Sequence, residues 1–282
     1  MEKLSLDQLL LMVKDMPVLP ESIHQILRLT EDPDSTVQDI EREILKDQSL
    51  ASKVLRLANS AYYGYPRKIG TISEATILLG FQAIRSLTLA SSVNKLLIQE
   101  LPGYGLKKYE LWRQSQSCAI VSRMIARKIK FKKPELAYVA GLLHDIGKVI
   151  LNHYVAKRYQ EIMEKVKNEN KSFLEAEREI LGFDHSQVGA KLAEKWNFPP
   201  ELVEAIAYHH APENASILPV LVSIVHIADV IVMFMGIGMG ADGMAYLVSE
   251  LALQTLQIDE VQVQQWISEA ADLLSDSRSF DI

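Results

Sequence analysis

Along its whole length the chain repeats apolar residues at three- and four-residue intervals, and it shows no strand-like alternation in twos. That spacing lines one face of a helix, whereas a half-buried strand needs alternation, so the sequence calls for an all-α fold. Its punctuation supports this. Ser5, with Gln8 three residues later, predicts a capping box that opens a first helix ending before Pro17. Pro17 and Pro20 bracket Val18 and Leu19, because each proline removes a backbone donor and biases its predecessor toward extended geometry. The periodicity then predicts helices over residues 21–30, from a Thr36–Asp39 cap onward, and over 47–60, 71–79 and 81–97. Further on it predicts helices over 107–130, 134–145, 148–168, 173–181, 185–196, 200–210, 218–235, 243–256 and 259–274. Residues 61–70 read as a loop. Pro102, Gly103 and Gly105 mark a hinge, giving an N-terminal helical lobe (1–105) and a larger lobe with a C-terminal extension (106–282).

Charge and cysteine content narrow the function classes. The net charge is −6 and the longest basic cluster runs only from Lys130 to Lys133, so no nucleic-acid partner is expected. The single cysteine, Cys118, excludes an internal disulfide and a cysteine-rich zinc site, and its apolar-periodic setting reads as a small core residue. The N-terminus lacks the basic start and unbroken apolar run of a secretory signal. The most apolar window, 217–239, carries His226 and Asp229, which a membrane would bury at high cost, so no membrane association is expected and a cytoplasmic location is. The glycines of 236–240 follow a helix rather than a strand, which rules out a dinucleotide loop.

Six of the seven histidines lie from His144 onward. His144 and Asp145, within the run Gly141 to Lys148, offer an imidazole and a hard carboxylate to one divalent cation. That mixture suits iron, manganese, zinc or nickel better than magnesium alone. Adjacent residues on a helix diverge by about 100°, so the pair needs ligands from other helices. The candidates are His185, capped by Asp184, the pair His209 and His210, and Asp229 within an apolar helix, where an unpaired carboxylate is expensive. His226 reads as a hydrogen-bonded core residue and His153 as a packing or partly exposed one. Lys148 is either a solvated helix-terminal charge or a group that reaches a phosphate oxygen.

Two sets of blocks make the chain resemble the HDOD family, relatives of the HD phosphohydrolases. In the first lobe they are Pro17-Val18-Leu19-Pro20, Asp47 to Leu50, Val54 to Ser60, Ile69 to Ala75 and Leu78-Leu79-Gly80. In the second they are Leu111-Trp112-Arg113 and Gly141 to Lys148, and the likeness covers about residues 17–215. The resemblance implies an HD-like multi-helix bundle used in bacterial signal transduction, with no catalytic activity implied for most members. Within the wider HD pattern, His144 and Asp145 match the central pair and Asp229 the final aspartate. His185, His209 and His210 resemble the additional ligands of the HD-GYP relatives. The pattern fails at its first histidine, whose place after Trp112 holds Arg113-Gln114-Ser115-Gln116, and amide oxygen is a weak substitute for imidazole. The glycine-tyrosine-proline signature is missing after His210, and Gly64-Tyr65-Pro66 lies in the other lobe as a turn.

Three functions fit these features. The first is a regulatory output module with a degenerate metal pocket, a first lobe that meets a partner or ligand, a signalling-protein partner and the option of self-association. The second is a metal-dependent phosphohydrolase acting on a nucleotide phosphodiester or a related substrate. There the metal set His144, Asp145, His185, His209, His210 and Asp229 would activate water, with Asp145 bridging and Lys148 on the phosphate. The third is a scaffold whose histidines are all structural.

Overall fold

The computed structural model describes residues 17–60, 63, 65–169, 171–238, 240 and 248–275, and among them every regular element is helical. The Ser5–Gln8 cap, Gly64 and the start of the predicted 243–256 helix lie outside the described residues. No helix among the described residues is long and apolar enough to cross a membrane. The described residues divide into two compact units, one of Val18–Lys95 with residues 268–275, the other of Leu96–Ile267 with Pro17.

The first unit contains α1 (Glu21–Glu31), α2 (Val37–Ile44), α3 (Gln48–Ala58), α4 (Ile72–Leu79) and nearly all of α5 (Phe81–Leu97). Its helix starts follow from local chemistry. Thr36 and Asp39 form a reciprocal capping box on α2, Asp47 accepts from the backbone of Ser49 and Leu50 on α3, and Thr71 caps α4. Ile23, Ile26, Ile40, Ile44, Val54 and Leu57 form the core. The Asn59 amide donates to Leu55 O at 2.8 Å and Ile69 O at 2.9 Å, and accepts from Ile69 N at 2.7 Å, pinning both ends of the intervening loop. A cavity of about 700 Å³ opens beside this clamp, lined in part by Ser52, Arg56, Ser60 and Lys68.

The second unit is built from α6 (Glu110–Lys128), α7 (Pro134–Leu143), α8 (Gly147–Glu169), α9 (Phe173–Leu181), α10 (His185–Lys195), α11 (Pro200–Tyr208), α12 (Pro219–Phe234), α13 (Glu250–Leu256) and the start of α14 (Glu260–Ser275). α6 packs on α7 and α12, α8 on α9 and α10, and α10 on α11. The hinge anticipated at 101–106 is instead a short 3-10 turn, Pro102–Tyr104, inside this unit. Gly103 sits so close to α8 that an added Cβ would stand 2.6 Å from Asn152 O, which fixes the turn in place.

One boundary matters for chemistry. The predicted 134–145 helix stops at Leu143, and α8 starts at Gly147. Between them Ile146 N bonds Leu143 O and Lys148 N bonds Asp145 O, each at 3.0 Å, three-residue turns that replace the α-helical ladder. His144 and Asp145 therefore occupy a corner rather than a helix face.

Candidate metal centre

Two close approaches set up this corner. Gly141 lets α7 lie against α6, since a Cβ there would meet Ser122 Oγ at 2.5 Å and Cys118 O at 2.7 Å. Gly147 lets the start of α8 abut the start of α10, since its Cβ would fall 1.9 Å from His185 O. Asp184 caps α10 in a reciprocal box with Gln187 and also pairs with Arg178, so His185 enters the pocket from a fixed first turn. His209 follows the last residue of α11, and Asp229 projects from the middle of α12.

The predicted residues meet. His144, Asp145, His185, His209 and Asp229 are buried, with exposures of 0 to 4%, while His210 is partly accessible. His144 Nε2 lies 3.2 Å from Asp145 Oδ2 and 3.2 Å from Asp229 Oδ1. On the other side of Asp145, Oδ1 is 3.3 Å from His185 Nε2 and 3.8 Å from His209 Nε2, and His185 Nε2 faces His210 Nε2 at 3.0 Å. Donors bound to one ion at about 2.0–2.1 Å stand roughly 3.0–3.4 Å apart, so most of these separations are those of a ligand shell. Asp145, His185, His209 and His210 form one group able to hold a metal ion.

Ring orientation adds to the fit. His144 Nδ1 donates to Gly141 O at 2.7 Å, His209 Nδ1 to Ile206 O at 2.8 Å, and His185 Nδ1 pairs with Glu177 at 2.8 Å. In all three the outer nitrogen is occupied and Nε2 turns inward, the arrangement by which neighbouring acceptors orient imidazoles for a metal. His209 Nε2 and Asp145 Oδ1 are buried without a hydrogen-bond partner. Such orphaned atoms are costly unless something binds them, so the residues fit a divalent cation.

Lys148 lies in the first turn of α8 but is not solvated. It is buried, and its Nζ donates to Asp145 Oδ2 at 2.7 Å. His226 matches its structural reading, with Nδ1 donating to His209 O at 2.8 Å and Nε2 accepting from Ser249 N at 2.9 Å. His153 is exposed on α8. Gln114 faces the pocket: its amide nitrogen is 3.5 Å from Asp229 Oδ1, and its oxygen is buried without a partner.

Sequence reasoning missed two contributors. Glu177, fully buried on α9, accepts from the His185 ring, from His185 N at 3.2 Å and from Tyr104 OH at 2.5 Å. Cys118 lies near His144 and Asp229. Glu177 recurs at the same two-residue spacing as Glu175 and Glu179, and nothing in that spacing marks it as the buried one.

Charge is unevenly held. Burial opposes every ionised group in the pocket, yet Asp145 is held well below the carboxylate range because His144 and Lys148 surround it. Burial likewise opposes the His144 cation, but Asp145 and its other anionic neighbours lift it well above an ordinary histidine, and Glu177 raises His185 against the same penalty. Burial dominates at His209, which falls to about 3, and lowers His210 as well. The pocket therefore mixes proton-holding and proton-refusing imidazoles.

Comparison with known proteins places this geometry in a setting. The profile of one family, described as the HDOD domain, matches residues 16–212. An HDOD domain protein of Geobacter sulfurreducens superposes with a TM-score of 0.82 at 25% identity, over 98% of this chain and 97% of that one. A Shewanella amazonensis SB2B protein provisionally assigned as a phosphohydrolase superposes with a TM-score of 0.74 at 27% identity, over 96% of each chain. An uncharacterised protein of Treponema pallidum (strain Nichols) is 28% identical over 217 residues, which is 72% of this chain and 40% of that relative's length.

Proposed function

The chain belongs to the HDOD domain family, and from that premise we propose that it is a cytoplasmic regulatory module of bacterial signalling whose HD-like pocket binds metal without efficient turnover. The observation that carries this reading is Gln114. It stands beside Asp229 with an unpartnered oxygen, where the resemblance leads one to expect a metal-binding imidazole. An amide oxygen is a weak ligand, so that side of a two-metal hydrolase is impaired. Asp145, His185, His209 and His210 remain able to hold an ion of the zinc, iron, manganese or nickel class.

A bound divalent ion would supply Lewis acidity and positive charge for a phosphate oxygen. The protein's own residues orient and shield such an ion. Gly141 O, Ile206 O and Glu177 aim three rings, and Lys148 neutralises part of the charge of Asp145. In the first unit, the cavity lined by Arg56, Lys68 and Ser60, whose hydroxyl is buried without a partner, supports a role for that lobe in meeting a ligand or a signalling-protein partner.

A metal-dependent phosphohydrolase is the second reading. It is favoured by Lys148 beside Asp145 and by the likeness to the Shewanella protein. One experiment separates the two. Protein purified without chelator should contain a transition metal that Asp145→Ala removes. With excess manganese or iron, turnover of cyclic di-nucleotides and generic phosphodiesters should stay below about 1 per second. Faster turnover that vanishes in Asp145→Ala would overturn the regulatory reading.

A further inference from the structure

Cys118 follows Gln114 by four residues on α6, so the two side chains leave the helix on one face, a turn apart. Its sulfur, a His144 ring nitrogen and an Asp229 carboxylate oxygen all lie within 4.8 Å of one another, and all three residues are buried. The hydroxyl of Ser122, 3.9 Å away, is a distant partner for the thiol. A further feature points to a ligand beside these three groups. Gln114 is 3% exposed, its amide nitrogen lies 3.5 Å from Asp229 Oδ1, and its oxygen has no hydrogen-bond partner. A purely apolar role for Cys118 leaves that buried oxygen unexplained.

We propose that Cys118 is a metal ligand, and that with His144 and Asp229 it forms a second cation position beside the Asp145, His185, His209 and His210 group. In this arrangement sulfur, one turn along α6, takes over the donor role that an imidazole at position 114 would otherwise fill. The proposal rests on the reading that the pocket binds metal, and it changes the metal's class. A thiolate with one imidazole and one carboxylate favours zinc, cobalt or ferrous iron over magnesium and manganese. Binding releases the thiol proton to solvent as the sulfur–metal bond forms, with no change of oxidation state.

Cobalt(II) added to the metal-free, full-length chain provides the test, because visible ligand-field bands report bound cobalt and a near-ultraviolet charge-transfer band reports sulfur bonded to it. Both are expected in the parent protein. In Cys118→Ser and Cys118→Ala the charge-transfer band should disappear while the visible bands of the histidine-rich group persist. Visible bands without charge transfer in the parent would overturn the assignment of Cys118 and leave the metal reading intact. No bands of either kind would overturn the metal reading and this proposal with it. A measurement on the parent alone guards against variants that fail to fold: zinc should slow modification of the thiol by a disulfide reagent at least about tenfold. An unchanged rate in zinc-loaded protein would also overturn the proposal.

Discussion

At His185 one ring nitrogen is committed to Glu177 and the other faces Asp145. Glu177→Gln keeps the size of the side chain but removes the charge that draws the Nδ1 proton outward. Metal affinity should fall about 10- to 100-fold, as for other residues that orient a ligating histidine. Competition with a chromophoric chelator would measure this, and unchanged affinity would mean that Glu177 serves only the fold. The contrast with His144 and His209, anchored by main-chain carbonyls, explains why some of the site was legible from sequence. His144 and Asp145 stood out as an adjacent imidazole–carboxylate pair, His185, His209 and His210 as histidines at helix ends, and Asp229 as an acid within an apolar helix. Cys118 did not, since a thiol fits an apolar stripe as well as alanine does. Lys148 was equally ambiguous, because whether a lysine near a helix start is solvated depends on what packs over it.

At the scale of elements, the centre depends on how closely helices can meet. Gly147→Ala would push a methyl group into the carbonyl of His185, a backbone atom that cannot swing aside. The denaturation midpoint should fall by an amount equivalent to about 1–3 kcal/mol, with metal stoichiometry reduced at temperatures where the fold persists. Unaltered stability would show that α8 and α10 can separate cheaply. The helices themselves were readable: the predicted 218–235 segment is observed as Pro219–Phe234 and 173–181 as Phe173–Leu181. The break before α8 was read two residues late: the predicted 134–145 and 148–168 helices leave only 146–147 between them, whereas the first ends at Leu143 and His144 to Ile146 form the turn. The residues 134–148 contain no proline after Pro134, and the turn arises from the packing of Gly141 and Gly147 rather than from local propensity.

For the molecule as a whole, the pocket's protons should set the pH dependence of stability. The unfolded chain binds protons near pH 6.5 at His209 and His210, which the metal-free fold refuses, so their contribution is lost as pH falls below that value, toward about 3 at His209. His144 and His185 have raised values and behave oppositely. Their contribution is complete below about 6.5 and is lost as pH rises through the folded-state values. Asp145 and Asp229, both lowered, lose their contribution only as pH falls below 3.8. Metal-free protein should therefore be most stable around pH 6.5, as chemical denaturation across pH would show, and metal affinity should climb above it as competing protons leave. A monotonic rise in stability from pH 6.5 to 9 would contradict this. The two-unit organisation was only partly legible, because the glycine-proline run at 102–105 looks like a linker until Gly103 is seen seated on α8. With no slack at Gly147 between the start of α8 and that of α10, a shift of α10 would carry with it the carboxylate around which the imidazoles gather. Any ligand that shifted α10 would then be linked thermodynamically to ion occupancy, each altering the affinity of the other by the same factor.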